Sequence, residues 1–289
     1  MYQDMLGKQR VKLGLHVHTS LSDGRKSPEE VAELYQKNGY DAIAFTDHWY
    51  HGEEQELKGL KILSGAEYNI GGTDSVFGVY HIVCLMPEAD PKVPIGSSAQ
   101  EAIDCIHRAG GLAVLAHPAW SLNTPEMIFA LRGIDATEIF NTVSGVAESF
   151  RADSSLIVDM VFGRGKYLPL LATDDAHYYE GNDACISYVM VESGSTDAGE
   201  LKKAILEKRF YATQGPEIHL SRNPDGNFVV QCSPVNHIYF VSACTWSEHS
   251  FHGDRLTYAE YTPVNDDKYI RAMVIDQDGK YAWSNSIVC

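Results

Sequence analysis

Short apolar runs alternate with helical patterns through the first two thirds of this 289-residue chain, and this alternation limits the folds open to it. Residues 11–17 form the first strand-like run. Ser27-Pro-Glu-Glu30 then reads as a capping box with proline at the first helical position, which predicts a helix. Further strands are predicted at residues 41–45, 61–63, 81–86, 112–116, 136–140 and 168–172, with helices after residues 98 and 124 and over 154–161 and 197–208. Repeated strand-then-helix units predict an α/β fold with a mostly parallel sheet, often closed as a barrel.

The pattern changes after Phe210, where short alternating runs replace the helices. Asn223-Pro-Asp-Gly226 and Asp276-Gln-Asp-Gly279 lie between these runs, and both have the residues typical of hairpin turns. We therefore expect two domains, an α/β domain over residues 1–210 and a small antiparallel β domain over residues 211–289.

The net charge of −16 argues against broad electrostatic binding to long nucleic acids or to anionic membranes, because such binding needs a basic surface. No apolar stretch approaches the ~20 residues of a membrane span, and the first residues lack a signal-peptide core. The six cysteines are scattered, which favours reduced thiols. We expect a cytoplasmic protein that acts on a small molecule, and the sequence leaves its oligomeric state open.

Side chains that bind metals recur at the predicted strand ends. His16 and His18 are two residues apart on an extended segment, so their rings point the same way and could close on one ion. Nine such residues can be counted: His16, His18, Asp23, His48, Glu67, His81, His117, Asp175 and His177. The carboxyl ends of barrel strands form one face, so these side chains would converge there. Without cations, burying so many polar and charged groups together would cost much free energy of folding. Their nitrogen and oxygen ligands favour two or three ions of Zn, Mn or Fe.

The same residues give the chain a resemblance to a known family, the PHP (polymerase and histidinol phosphatase) metal-dependent hydrolases. The resemblance spans about residues 12–177. It rests on Leu15-His-Val-His-Thr-Ser20 with Asp23, Thr46-Asp47-His48, Gly65-Ala-Glu67, His81, Gly110-Gly-Leu-Ala-Val-Leu-Ala-His-Pro118 and Asp174-Asp-Ala-His177. Outer motifs resemble the CehA/McbA-type branch: Ala119-Trp120, Glu138-Ile-Phe-Asn141, Phe210-Tyr-Ala-Thr-Gln-Gly-Pro216 and Ala282-Trp-Ser-Asn285. The resemblance implies a distorted (β/α)7 barrel followed by a small C-terminal antiparallel β domain.

The resemblance also implies three sets of metal ligands. They are His16, His18, Glu67 and Asp175 for the first ion, Glu67, His81 and His117 for the second, and Asp23, His48 and His177 for the third. Many relatives have histidine in place of Asp23, which leaves occupancy of the third set open. Asp174, which directly precedes Asp175, is the alternative ligand for the first ion.

The activity that the resemblance implies is phosphoesterase activity on a small phosphate ester, through a hydroxide that bridges the first two ions. His177, Asp23 or a bound water would protonate the leaving group. A carboxyl-ester or carbamate hydrolase would use the same ions. A nucleotide or short-oligonucleotide phosphodiesterase and a non-catalytic metal-binding module remain further alternatives.

Other residues are weaker candidates. Arg25, Arg151 and Arg164 are conceivable phosphate clamps, although each is better interpreted as a surface residue. Trp120 and Asn141 are candidate substrate contacts, and Glu138 is a candidate support for a ligand. The remaining histidines are interpreted as surface or packing groups: His51, His107, His219, His237, His249 and His252.

Overall fold

A computed structural model describes residues 1–71, 78–245, 250–264 and 266–289. The strands in these ranges are β1 (Tyr2–Gln3), β2 (Gln9–Gly14), β3 (Ala42–Ala44), β4 (Gln55–Leu57), β5 (Leu60–Leu63), β6 (Gly65–Ile70), β7 (Tyr80–Leu85), β8 (Leu112–Leu115), β9 (Ala136–Asn141), β10 (Leu170–Thr173), β11 (Tyr188–Glu192), β12 (Phe210–Thr213), β13 (Ile218–Arg222), β14 (Phe228–Val241), β15 (Ser250–Tyr261), β16 (Tyr269–Ile275), β17 (Tyr281–Ser284) and β18 (Ile287–Val288). The helices are α1 (Pro28–Lys37), α2 (Ala99–Arg108), α3 (Pro125–Ala130), α4 (Ser155–Phe162) and α5 (Ala198–Leu206), with a π-helical turn at Ser144–Ser149.

The helices begin where the sequence predicts. Ser27 caps α1 and Ser98 caps α2, each in a reciprocal capping box with the glutamate three residues later. Capping satisfies backbone N–H groups that have no partner inside the first helical turn. No helix of the described ranges exceeds ten residues, and none is long and apolar enough to cross a membrane.

Two sheets carry the fold. Thirteen strands form the larger one in the order β13-β14-β16-β17-β12-β11-β2-β3-β5-β4, with β1 beside β2, β15 beside β14 and β18 beside β16. The smaller sheet has the order β10-β9-β8-β7-β6. The two sheets approach each other through parallel bridges between Val17 and Ala176 and between His48 and Glu67. The first bridge joins the segments after β2 and β10, and the second joins the segment after β3 to β6.

The expectation of a mostly parallel sheet is only partly correct. Strands β8, β9 and β10 are parallel to one another, as are β2, β3 and β5. Strands β6, β7 and β8 pair antiparallel. Because β7 runs against β8, its first residues lie beside the carboxyl end of β8, and the Ala116 N–H donates to the carbonyl of His81 at 3.0 Å. The reversal therefore places His81, at the start of its strand, at the same edge as His117.

The strands after Phe210 pair antiparallel, as predicted. The predicted turns at 223–226 and 276–279 join β13 to β14 and β16 to β17. These strands do not form a separate sheet, because β12 pairs with β11 and β11 pairs with β2. Most of them nevertheless pack around their own cluster of buried side chains, which includes Phe228, Ile238 and Phe240.

Candidate metal-binding site

His16 and His18 lie on the segment that follows β2, and both side chains are fully buried. Their Nε2 atoms are 3.2 Å apart. Val17 between them belongs to a different packed cluster, with Val31 and Ile43, because an extended segment sends alternate side chains to opposite faces. The two rings thus point into one space, as the spacing predicts.

Two carboxylates complete the first cluster. Oδ1 of Asp175 lies 3.1 Å from Nε2 of His16 and 3.1 Å from Nε2 of His18. Oε2 of Glu67 lies 3.3 Å and 3.1 Å from the same two nitrogen atoms. Asp175 has a φ of 53°, in the left-handed region that non-glycine residues rarely adopt. The neighbouring structure holds this unfavourable backbone conformation, a feature that recurs at functional sites.

The other oxygen of Glu67 faces the second cluster. Oε1 lies 2.9 Å from Nδ1 of His81 and 3.4 Å from Nε2 of His117. His117 also has a left-handed backbone, with a φ of 26°. Because one buried carboxylate contacts both groups of histidines, Glu67 stands between the first and second clusters.

The third cluster is more open. Asp23 contacts His48 at 3.6 Å and Nε2 of His177 at 3.4 Å, and it also lies 3.5 Å from Nδ1 of His18. The Asp23 side chain is 54% exposed, whereas that of Glu67 is 1% exposed. Burial lowers the pKa of His177, but the hydrogen bond with Asp23 and the nearby Asp175 outweigh it and raise the pKa to about 9. All nine candidate ligands of the sequence are therefore brought together, in three clusters of different exposure.

Asp174 and Asp175 have different surroundings despite being adjacent. The Asp174 carboxylate accepts hydrogen bonds from the Tyr35 hydroxyl and from the backbone N–H groups of residues 185–187. Burial raises the pKa of Asp174 to about 6, although these hydrogen bonds by themselves lower it. Its carboxylate is thus committed to holding the backbone, while that of Asp175 faces His16 and His18.

The donor set fits divalent cations. Oδ1 of Asp175 and Nδ1 of His48 are buried and make no well-directed hydrogen bond among the described residues. Their near neighbours are other ligand-type atoms, the Nε2 atoms of His16 and His18 at 3.1 Å from the first and Oε2 of Glu67 at 3.3 Å from the second. His16 donates from Nδ1 to Glu138, which in a neutral ring leaves a lone pair on Nε2 directed at the cluster. Imidazole nitrogens and carboxylate oxygens are ligands of Zn, Mn and Fe, and such cations would offset the cost of burying Glu67 and Asp175 together.

Glu138 orients the cluster from behind. This buried carboxylate accepts from His16 Nδ1 at 2.7 Å, the Thr173 hydroxyl at 2.8 Å and the His117 backbone N–H at 2.8 Å. Asn141 bridges Glu138 and Asp175 through its side-chain amide, at 2.8 Å and 3.1 Å. Glu138 therefore has the supporting position that the sequence suggests, and Asn141 lies beneath the cluster.

Glu138→Gln should weaken binding of a divalent metal and lower activity by about 10- to 100-fold, the usual effect of losing a group that orients a ligand. The glutamine side chain keeps the shape of Glu138, but only one of its two terminal atoms is an oxygen that accepts hydrogen bonds. Metal titration followed by atomic absorption would measure the loss, with the exposed Glu101→Gln in α2 as a control. Unchanged metal affinity would contradict the orienting role.

The clusters open into a cavity of about 330 Å³. One wall is formed by the clusters themselves. The rest of the lining consists of Trp120, Val143, Glu148 and Tyr178. Trp120 packs edge-on against the rings of His81 and His117, at centroid distances of 5.4 and 5.0 Å. Sequence reasoning pointed to Trp120 but missed the other three. Tyr178 could have been noticed because it follows His177, whereas Glu148 lies in a π-helical turn without a motif.

The family model for the PHP domain matches residues 14–116, which contain six of the nine candidate ligands. The chain belongs to the PHP superfamily. An uncharacterized protein of Methanocaldococcus jannaschii is 30% identical over 144 residues, which cover 45% of this chain and 82% of that protein. As a PHP protein with these histidine and carboxylate clusters, it is a metal-dependent hydrolase of ester bonds.

One solved structure has a similar fold along almost the whole chain. A two-domain protein of Bacteroides vulgatus containing a predicted PHP-like metal-dependent phosphoesterase has a TM-score of 0.57 and 12% identity, covering 99% of this chain and 98% of that chain. A lesion-specific endonuclease of Pyrococcus furiosus has a TM-score of 0.49 and 18% identity, covering 69% of this chain and 56% of that chain. The first similarity supports the fold of the PHP protein along its whole length.

The candidate phosphate clamps lie outside the cavity of this PHP protein. Arg25 pairs with Glu180 and lies over the outer ring face of Tyr178, at 4.9 Å from its centroid. Arg164 pairs with Glu126 at 2.7 Å, and Arg151 is exposed without lining the cavity. Each is therefore placed as a surface residue.

The other histidines have local contacts. His107 pairs with Asp135 at 2.8 Å, His219 with Glu217 at 2.6 Å, and the Nδ1 atoms of His237 and His252 are 2.8 Å apart. His51 is partly buried and lines a different cavity beside residues 86–90. His249 lies outside the described residues.

Proposed function

We propose that this PHP protein is a phosphoesterase that hydrolyses a small phosphate ester with the help of bound divalent ions. The position of Glu67 carries the proposal, because its two oxygens face two different sets of histidines inside one buried cluster. A carboxylate in that position suits two ions side by side. The adjoining cavity of about 330 Å³ has room for a small ester.

The proposed ligands follow the three clusters. His16, His18, Glu67 and Asp175 would hold the first ion, and Glu67, His81 and His117 the second. Asp23, His48 and His177 would hold a third, whose occupancy we expect to be lowest because Asp23 is half exposed. Zn, Mn and Fe all suit this set. When bound, such ions lower the pKa of coordinated water and offset negative charge on phosphoryl oxygens.

The protein's own groups have further roles in the proposal. Glu138 and Asn141 hold His16 and Asp175 in place. Trp120 and Val143 give part of the cavity an apolar lining. His177 stands 3.4 Å from the half-exposed Asp23 and could hand a proton to the departing alcohol when the third ion is missing, because its pKa is raised. Asp23, whose pKa the neighbouring histidines lower, would hold that ring and would not supply the proton.

We also propose a finer description of the architecture. Strands β2, β3 and β6–β10 would form a distorted seven-stranded (β/α)7 barrel. The bridges between Val17 and Ala176 and between His48 and Glu67 support this interpretation, because they would join the two sheets into one closed barrel. Residues 1–210 would be the catalytic domain and residues 211–289 a small β domain with its own buried cluster. The motif at Trp120 supports assignment to the CehA/McbA-type branch.

A second function is supported by the charge of the cavity. No lysine or arginine lines it among the described residues, so phosphate would be bound by the ions without help from side chains. A neutral carboxyl ester or carbamate needs no such help. The same site could therefore cleave these bonds.

A panel of p-nitrophenyl esters distinguishes these functions. With Mn or Zn added, we expect p-nitrophenyl phosphate to be hydrolysed at a kcat/KM at least about tenfold above that of p-nitrophenyl acetate. The reverse order would favour the carboxyl-ester hydrolase. Preference for bis(p-nitrophenyl) phosphate would indicate a phosphodiesterase. Release of no nitrophenol, by a folded protein that retains metal, would indicate the non-catalytic module and contradict the proposal.

A further inference from the structure

Outside the metal-binding clusters, the lining of the cavity contains one acidic side chain. Glu148 stands in the π-helical turn Ser144–Ser149 and lines the cavity together with Tyr178. The Tyr178 hydroxyl donates to Oε1 of Glu148 at 3.2 Å. This bond fixes the carboxylate beside the cavity and leaves its second oxygen available as an acceptor.

No positive side chain balances Glu148 inside the cavity. None of the lysines and arginines in the described ranges lines it, and residues 72–77, 246–249 and 265 contain neither residue type. The guanidinium of Arg25 lies against the Tyr178 ring and pairs with Glu180. A ligand group that reaches Glu148 therefore meets an acceptor with negative charge.

We propose that Glu148, held by Tyr178, selects the alcohol part of the substrate and favours a leaving group that carries an ammonium or hydroxyl group. This inference rests on the proposed phosphoesterase function. If ions at the buried clusters hold the phosphoryl group, the alcohol part lies in the rest of the cavity, whose lining includes Glu148. An ammonium there would pair with Glu148, a hydroxyl would donate to it, and a carboxylate or second phosphate would be repelled.

The reaction itself is simple hydrolysis. A water oxygen forms a bond to phosphorus while the bond from phosphorus to the ester oxygen breaks. The alcohol leaves with the proton that the water gives up, and inorganic phosphate is the other product. Glu148 takes no part in these steps and acts as a specificity-determining residue.

Three phosphate esters of two-carbon alcohols provide the test, because they differ in the polar group at the far end and in its charge. They are phosphoethanolamine, 2-hydroxyethyl phosphate and phosphoglycolate, with an ammonium, a hydroxyl and a carboxylate. We expect kcat/KM to fall in that order. Glu148→Gln should reduce the ratio between the ammonium and carboxylate esters about tenfold, since a charge pair at a partly exposed site is weak but measurable.

Two further variants separate selection from general damage. Glu180→Gln removes the same charge beside Tyr178 but outside the cavity, and it should leave the ratio unchanged. Tyr178→Phe removes only the hydroxyl that holds Glu148 and should reduce the ratio by a smaller factor. A structural role for Glu148 would instead lower kcat/KM for all three esters equally.

The outcomes also separate this inference from the function on which it rests. If the three esters are not turned over, their order as inhibitors of p-nitrophenyl phosphate hydrolysis gives the same ranking. A ranking that is absent, or that Glu148→Gln leaves intact, overturns the inference alone. Failure of the metal-loaded protein to hydrolyse any phosphate ester overturns the phosphoesterase function and this inference with it.

Discussion

Glu67→Gln should reduce metal-dependent turnover by roughly a thousandfold or more, the largest effect that we expect from one substitution. The side chain keeps its size and loses one negative charge. It also turns one of its oxygens into an N–H₂ group, which cannot bind a cation. Because Oε2 faces His16 and His18 while Oε1 faces His81 and His117, one of the two clusters loses a ligand whichever way the amide turns, and the carboxylate shared by both is lost.

Metal content and kinetics together would measure this effect. Purified Glu67→Gln protein should retain fewer equivalents of Mn or Zn than the unaltered protein after dialysis, and kcat should fall with it. Glu192→Gln is the matched control, since that glutamate stands at a strand end and contacts Lys8 at 3.4 Å, away from the clusters. If Glu67→Gln kept more than about a tenth of the activity, Glu67 would not be a shared ligand.

The sequence was most informative where local rules determine geometry. The positions of His16 and His18, two residues apart on an extended segment, are sufficient to predict that their rings face one space. Capping boxes at Ser27 and Ser98 predict helix starts for an equally local reason. In these places the neighbouring residues alone decide the conformation, so a single sequence is enough.

Long-range pairing was harder to predict. The apolar run at residues 81–86 predicts a strand, but it contains nothing that tells the direction of that strand in the sheet. The antiparallel run of β7 depends on contacts with β6 and β8. For the same reason the sequence did not predict strand β11. This strand pairs with β2 on one side and with β12 on the other, and both pairings depend on residues far away in the sequence.

Specificity was the least predictable level. Metal ligands are limited to a few residue types, so their recurrence at strand ends is visible in the sequence. The other residues of the cavity lining, Val143, Glu148 and Tyr178, belong to common residue types and lie in no recognisable ligand motif. Only the folded chain shows that the π-helical turn brings Glu148 to the Tyr178 hydroxyl beside the cavity.

Binding of metal should also stabilise the fold, because the buried clusters crowd carboxylates that have too few cationic partners. Glu67, Asp175 and Glu138 are all buried around His16. A ligand present at about 1,000 times its dissociation constant adds about 4 kcal/mol to the free energy of unfolding. In a chain of this size each kcal/mol raises Tm by about 2–4 °C. We therefore expect Mn or Zn to raise the Tm of chelator-stripped protein by roughly 10 °C.

Calorimetry of stripped and reloaded protein would check this shift, and two histidine variants locate its source. His16→Ala removes a ligand from the most buried cluster and should abolish most of the shift. His107→Ala removes a histidine of α2 that pairs with Asp135, away from the clusters, and it should leave the shift intact. If the ion bound by His16 supplies the added stability, loss of His16 must reduce the shift in Tm. Equal shifts in both variants would therefore place the stabilising ions elsewhere on the protein.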